Sequence, residues 1–312
     1  MSKKYLVPAG IALICIAAVS VGYVQRNRVP QDGGTSQTGS LTIVSTIYPL
    51  TFFTQQIVGN LANVTTITPA GAEPHEYEPT SQDIALLESA DVVILNGANL
   101  EPWIEKIINP LRGKGIQVVI ASAGIANRTL VEDGEEIQDP HVWLSPVLAK
   151  TASQKISQSL QQADPLHAAT YQENEKKLRE RLDQLDQAYT SGLASCQNKN
   201  IVTSHAAFAY LAAQYGLRQV SIAGLSPETE PSGRQLVEIA RFVKEQGIKV
   251  IFFETLISPK LSQTIARETG ATVMELNPLE GLTPDEVAAG KDYTSVMQSN
   301  LRNLQTALVC HQ

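Results

Sequence analysis

The stretch PLHAATYQENEKKLRERLDQLDQAYTSGL, residues 165–193, decides the architecture of this chain. After Pro165 it has no proline, and no glycine before Gly192. Tyr171, Leu178, Leu182, Leu185 and Tyr189 recur at the spacing of one helix face, with charged residues filling the rest. At 1.5 Å per residue such a helix runs roughly 40 Å, the breadth of a domain. A shorter helix precedes it: Ser145-Pro146 is a good helix start, and Asp164-Pro165 ends that helix and caps the next. A rod of this length is a stiff strut, in a position where most two-lobed binding proteins have flexible crossovers.

On either side of the strut, short β-branched runs alternate with amphipathic stretches, the pattern of a parallel sheet covered by helices. Before it, strands are expected at Leu41 to Ile47, Val64 to Thr68, Asp91 to Asn96 and Ile116 to Ala121. Helices are expected at Pro49 to Val58, Ser81 to Ser89 with Thr80 as N-cap, and Glu101 to Asn109. After it, strands are expected near Ile201 to Ser204, Gln219 to Ile222, Lys249 to Glu254 and Thr272 to Leu276. The helices there are Ala206 to Tyr215, Gly233 to Gln246, Pro259 to Thr269 capped by Ser258, and Tyr293 to Leu308. The fold class is therefore α/β: two lobes with parallel sheets covered by helices, joined by one long rigid helix. The boundaries are 41–145 for the N-terminal lobe, 146–195 for the helical connector and 196–312 for the C-terminal lobe.

Residues 1–24 combine Lys3 and Lys4 with an apolar run from Tyr5 to Val24, which reads as an export signal or an uncleaved membrane anchor. Cys15 as a lipid-attached residue is a further alternative, though bulky Ile14 precedes it. Residues 25–40 form a flexible linker, Gly/Ser/Thr-rich from Gln31. An extracytoplasmic location follows, periplasmic or anchored to the outer face of the cytoplasmic membrane. Outside the export segment only Cys196 and Cys310 remain, one before the first strand of the second lobe and one at the end of its last helix. A disulfide between them is expected in an oxidising compartment, with free thiols as the alternative. The net charge of −7, without a basic cluster, excludes a nucleic-acid partner.

The chain has five histidines. Three sit in loops after β-like runs: His75 between the prolines of Ala70 to Ser81, His141 in Asp-Pro-His-Val-Trp, and His205 in Thr-Ser-His-Ala-Ala-Phe. A zinc finger would place them a few residues apart, whereas wide spacing suits a site assembled between two halves of a protein. In open α/β sheets ligands bind beyond the carboxyl ends of the strands, so all three point to one cleft. Three imidazoles suit zinc, with copper, iron and manganese behind it on ligand type. A fourth donor is expected past a late strand of the second lobe. There, Leu276 to Leu282 offers Glu280 as its one carboxylate, otherwise a solvated loop acid.

Several segments come in the order seen in the cluster A-I metal-binding solute-binding proteins. They are Pro74-His75-Glu76-Tyr77-Glu78-Pro79, Asn96-Gly97-Ala98-Asn99-Leu100-Glu101-Pro102-Trp103, Asp139-Pro140-His141-Val142-Trp143-Leu144, Thr203-Ser204-His205-Ala206-Ala207-Phe208, Gly224-Leu225-Ser226-Pro227-Glu228 and Leu276-Asn277-Pro278-Leu279-Glu280. From Leu41 to Leu308 the chain resembles the zinc branch of that family (ZnuA-like and TroA-like), the extracytoplasmic receptors of ABC metal importers. The resemblance implies a fold of two α/β lobes on a long rigid helix. It carries metal ligands over to His75, His141, His205 and Glu280. It also implies Zn2+ as the transported ligand, with Mn2+ as the alternative, and an ABC transporter membrane permease as partner to a monomeric receptor. Many zinc-branch members have a long His- and Asp-rich loop before the second ligand. Here Leu130 to Gln138 is short, with Glu132, Asp133, Glu135 and Glu136 as weak metal collectors or simply a solvated acidic loop.

Three histidines and one carboxylate complete a four-coordinate shell, and a closed shell favours binding over catalysis. The expected function is zinc capture and delivery, without enzymatic activity. The alternatives are a manganese or mixed-metal receptor of the same fold and, in another class, a zinc hydrolase or surface adhesin. Glu78, Glu228 and Glu254 are the candidates for orienting the imidazoles.

Overall fold

The computed structural model describes residues 40–132 and 134–311. Residues 1–39, which hold the segment expected to direct export, Cys15 and nearly all of the expected linker 25–40, lie outside the described residues, as does Asp133. In chain order the first lobe runs β1 (Leu41–Ser45), α1 (Tyr48–Val58), β2 (Ala62–Thr66), α2 (Ser81–Glu88), β3 (Val92–Leu95), α3 (Ile104–Gly113) and β4 (Gln117–Ile120). The strands make one parallel sheet in the order β2-β1-β3-β4. The central strands are near-continuous apolar runs, LTIVS and VVIL, because helices cover both of their faces. Edge strand β2, ANVTT, alternates half-buried and exposed residues.

A two-stranded antiparallel hairpin follows, β5 (Thr129–Glu132) and β6 (Glu135–Gln138), then α4 (Pro146–Ala163) and α5 (Ala168–Leu193). The second lobe contains β7 (Asn200–Thr203), α6 (Ala209–Gln214), β8 (Arg218–Ser221), α7 (Gly233–Glu245), β9 (Val250–Phe253), α8 (Lys260–Thr269), β10 (Thr272–Glu275), α9 (Pro284–Ala288) and α10 (Tyr293–Ala307). Its parallel sheet is ordered β10-β9-β7-β8. Counted within each lobe, both sheets run second, first, third, fourth strand, so the chain reverses its direction of growth between the first and third strands each time.

Helix α5 is the strut. Tyr171, Leu178, Leu182, Leu185, Tyr189 and Leu193 are each no more than 4% exposed and belong to one core that includes residues of both lobes. The helix packs on α4, on α1 of the first lobe and on α10 of the second. Asn174 Nδ2 donates to the carbonyl of Ile57 (2.9 Å), and Tyr189 Oη to that of Met297 (2.7 Å). Leu182→Ala is expected to lower stability by about 2–5 kcal/mol through the cavity it leaves, checked by denaturant unfolding. A disulfide joins Cys196 to Cys310 and ties the end of α10 to the entry of β7. Among the described residues no helix is long and apolar enough to cross a membrane.

Four local expectations change. The acidic stretch 130–138 lies in the β5–β6 hairpin, whose strands pair antiparallel from Thr129↔Gln138 to Glu132↔Glu135. Helix α3 starts at Ile104 because Glu101 is turned inward, and it continues through Pro110 to bury Leu111. Helix α8 starts after Pro259 with no side-chain cap, so Ser258 does not cap it. The short helix α9 lies between Leu276 and Tyr293, where no element is expected from the sequence, and is opened by a capping box between Thr283 and Glu286.

Candidate metal centre

Each of the four donor residues sits just beyond a strand or hairpin, on a segment its own sequence makes rigid. His75 lies in a single 3-10 turn, Pro74–Glu76, where Pro74 fixes the backbone and Glu73 Oε1 accepts the His75 amide (3.1 Å). The loop is held across the cleft by the Gly71 amide, which donates to the carbonyl of Leu282 (2.9 Å). Gly71 adopts φ +85°, a conformation that favours glycine.

His141 follows β6. Asp139 Oδ1 accepts both its amide (2.9 Å) and its Nδ1–H (2.8 Å), so one carboxylate sets the backbone and the ring together. Trp143 is buried beside it, ring centroids 5.2 Å apart, and donates from Nε1 to the carbonyl of Pro278 in the second lobe (2.8 Å). His205 follows β7, and Glu254 beyond neighbouring β9 holds it in the same manner, Oε1 on the amide (3.1 Å) and Oε2 on Nδ1–H (2.8 Å). Glu280 follows β10. Asn277 accepts the Leu279 amide at Oδ1 (2.7 Å), and Leu279 sits at φ +57°, which turns Glu280 inward. Asn300 clasps Asn277 from α10 by two hydrogen bonds (2.9 and 2.7 Å).

These elements converge on one point. His141 Nε2 is 3.2 Å from His75 Nε2, 3.3 Å from His205 Nε2 and 3.1 Å from Glu280 Oε1. Glu280 Oε1 is also 3.1 Å from His205 Nε2 and 3.4 Å from His75 Nε2. Donors 2.0–2.1 Å from one tetrahedral zinc stand about 3.3–3.4 Å apart, close to these five pair distances, and all four donor atoms lie within 4.8 Å of one another. With Nδ1–H of His141 and His205 committed to carboxylates, their Nε2 atoms are the free donors. The four residues could hold one metal ion.

Burial and charge oppose each other here. Burial pushes the His75 imidazolium down. It does the same to His141 and His205, but Asp139 and Glu280 outweigh it at His141, and Glu254 and Glu280 raise His205 well above its ordinary value. Burial would raise Glu280, yet the charge of His205 and the hydrogen bonds of the imidazoles hold it well below the usual carboxylate range. Glu73 is pushed up to about 9 by burial and by the nearby charge of Glu280. Burial and Glu280 thus disfavour a further negative charge at Glu73.

The model of the family described as zinc-uptake complex component A, periplasmic (ZnuA) matches residues 43–307. The chain belongs to the ZnuA family. It is 40% identical over 281 residues to the zinc-binding lipoprotein AdcA of Streptococcus pneumoniae, a match that covers 86% of this chain but only 56% of AdcA. The chain thus spans little more than half the length of that relative. It is 38% identical over 289 residues to the high-affinity zinc uptake system protein ZnuA of Bacillus subtilis, covering 88% of this chain and 89% of that one. The solved Zn(II)-bound ZnuA-like domain of S. pneumoniae AdcA superposes with a TM-score of 0.76 at 41% identity, covering 86% of this chain and 99% of that domain.

In this ZnuA-family chain the structure brings together His75, His141, His205 and Glu280 and adds Glu254 behind His205. It does not bring in Glu78 or Glu228. Both are exposed, and neither hydrogen-bonds to the cluster among the described residues. Glu228 lies in a loop where its amide donates to Ser226 Oγ instead (3.3 Å). The residue that sequence reasoning missed is Asp139. Its signal was the Asp-Pro-His spacing itself, since the proline bends the backbone so that the carboxylate two residues before the histidine reaches its Nδ1.

Proposed function

We propose that this chain captures Zn2+ outside the cytoplasm and delivers it to the membrane permease of an ABC importer. The observation that carries the reading is the convergence of three imidazole nitrogens and Glu280 Oε1, 3.1–3.4 Å apart in five of their pairs. A three-imidazole, one-carboxylate set favours zinc over manganese, which prefers more oxygen donors. The zinc bound by the AdcA domain, and the zinc uptake named for the B. subtilis relative, support the same choice. The fourth donor argues against a hydrolase, because a catalytic zinc keeps a coordination position for water. The disulfide and the apolar segment 1–24 support an exported chain, with 25–40 as tether. His75, His141, His205 and Glu280 are the ligands in this reading, and Asp139 and Glu254 orient two of them.

Metal analysis of protein purified without chelator, followed by zinc and manganese titration against a chromophoric chelator, tests the reading. One zinc per chain and a clear preference over manganese are expected, and a manganese preference would overturn the choice of cargo. Asp139→Asn and Glu254→Gln are each expected to weaken zinc binding by about 10–100-fold, through loss of the acceptor that fixes the ring. Unchanged affinity in both variants would remove the orienting role.

Release also has a structural route. Tyr210 Oη of the second lobe accepts the amides of Asn127 and Arg128 (3.1 Å each) and donates to the carbonyl of Asp139 (3.1 Å). Glu132 Oε1 accepts the amide of Leu225 (2.6 Å). The hairpin that leads into His141 is therefore fastened to the second lobe on both sides. With the strut resisting wide hinge motion, these are the contacts whose loosening would open the site.

A further inference from the structure

The segment Asn96 to Trp103 supplies no donor to the metal cluster, yet it contains a buried carboxylate held by three hydrogen bonds. Glu101 is 4% exposed. Its Oε1 accepts Thr46 Oγ1 (2.5 Å) and the Asn96 amide (2.8 Å), and its Oε2 accepts the Gly97 amide (2.8 Å). The turn it grips is strained: Gly97, Ala98 and Asn99 have φ of +78°, +52° and +67° in succession. Two of these are not glycine, and such conformations persist only where the surroundings over-determine them. A Cβ at Gly97 would meet Ile120 Cγ2 at 2.6 Å, so the turn also fits closely against β4.

The grip has one outward consequence. Asn96 is fully buried, and its Nδ2 donates to the carbonyls of Gly97 and Pro140 (3.0 Å each). Pro140 is the residue between Asp139 and His141. Its carbonyl also accepts the Val142 amide (2.8 Å), so the bend that aims the His141 ring is pinned on that oxygen.

The topology makes the two lobes counterparts here. Thr46 and Asn96 follow β1 and β3, the strands between which the first sheet reverses its order, and a ligand crevice forms outside such a point. In the second sheet the reversal falls between β7 and β9, and there Glu254 grips His205 directly. Each reversal point thus has one buried carboxylate.

We propose that Glu101 and Asn96 are positioning residues for metal capture. Glu101 fixes the strained turn, and the Asn96 carboxamide fixes the Pro140 carbonyl and with it the angle at which His141 Nε2 enters the shell. This rests on the zinc-binding reading above.

The test compares Asn96→Asp, Asn96→Ala and Glu101→Gln with the wild type and with Leu182→Ala, a packing variant in the strut. Asn96→Asp keeps the shape but sets an acceptor against the Pro140 carbonyl. Asn96→Ala removes the bond without adding repulsion and carries the test if the aspartate variant fails to fold. Readouts are zinc affinity by chelator competition, the d–d spectrum of the Co2+-loaded protein, and the melting temperature of the metal-free protein. The Asn96 and Glu101 variants are expected to lose about tenfold or more in zinc affinity and to change the Co2+ spectrum. Leu182→Ala is expected to melt lower with affinity and spectrum unchanged. Asn96 variants that fold, bind within twofold of the wild type and keep its spectrum would overturn the proposal. A wild type that binds no zinc would instead sink the reading beneath it.

Discussion

Replacing His141 with alanine is expected to abolish stoichiometric zinc binding, with a loss of at least about a thousandfold in affinity, or ~4 kcal/mol. Its Nε2 is the atom from which the other three donors are reached at 3.1–3.3 Å. The ring is wholly buried, so water cannot readily take its place. Its removal also leaves Asp139 with the backbone amide but no ring proton to accept, a buried carboxylate facing a void. His75 is the contrasting case: its side chain is 8% exposed, at the mouth of the site, where a water can stand in for the lost nitrogen. His75→Ala is therefore expected to weaken binding less than His141→Ala. Metal content after equilibrium dialysis, with chelator competition for affinity, measures both, and circular dichroism checks that each variant is folded. If His141→Ala bound one zinc at wild-type affinity, the assignment of the centre would be wrong.

What could be read in advance divides along physical lines. The strut is legible because Tyr171, Leu178, Leu182, Leu185 and Tyr189 carry a periodicity that only a helix buries, and no breaker interrupts it before Gly192. The central strands are legible because a fully covered parallel strand must be apolar along its length. Three of the four clustered residues are legible because histidines are few and each sits past a strand end, and Glu280 because it is the one carboxylate of Leu276 to Leu282. The β5–β6 hairpin is obscured because its faces are mostly polar, so alternation is weak and the stretch reads as a short acidic loop. Glu101 reads as the first residue of a helix because an acid before an apolar run usually is one. Nothing local reveals that three donors wait for it at the ends of two strands. Among the orienting acids, Glu254 follows a strand end adjacent to that of His205, a placement sheet order makes visible. Glu78 and Glu228 lie near histidines or motifs in sequence but face solvent, since sequence proximity does not fix side-chain direction.

Zinc affinity is expected to fall about tenfold for each pH unit below neutrality, because the metal displaces a proton from the cluster. Burial disfavours a charge on His205, but Glu254 and Glu280 raise its pKa well above 6.5. The folded value exceeds the unfolded one, so the charged His205 stabilises the metal-free protein below pH 6.5, and that contribution is lost as pH rises through the folded value. Glu280 has the opposite sign. Burial would raise it, but His205 and the imidazole hydrogen bonds hold it well below 4.5, so its contribution is present above 4.5 and lost as pH falls through the depressed value. In the metal-free site the charged form of His205 is favoured, with Glu280 Oε1 3.1 Å from its Nε2. Zinc must expel that proton, which sets a slope of one decade per pH unit. His141, also raised, adds a second proton as the solution becomes more acid and steepens the slope, while burial keeps His75 neutral longest. Zinc titrations from pH 8 to 5.5 give the slope, and calorimetry in two buffers of different ionisation heat counts the protons released. An affinity independent of pH, or equal heats in both buffers, would refute the displacement. The same linkage governs thermal stability. Zinc at a thousand times its dissociation constant adds about 4 kcal/mol to the folded state. The gap in melting temperature between zinc-loaded and chelator-treated protein should therefore close as pH falls, with acid and chelator acting on the same four atoms.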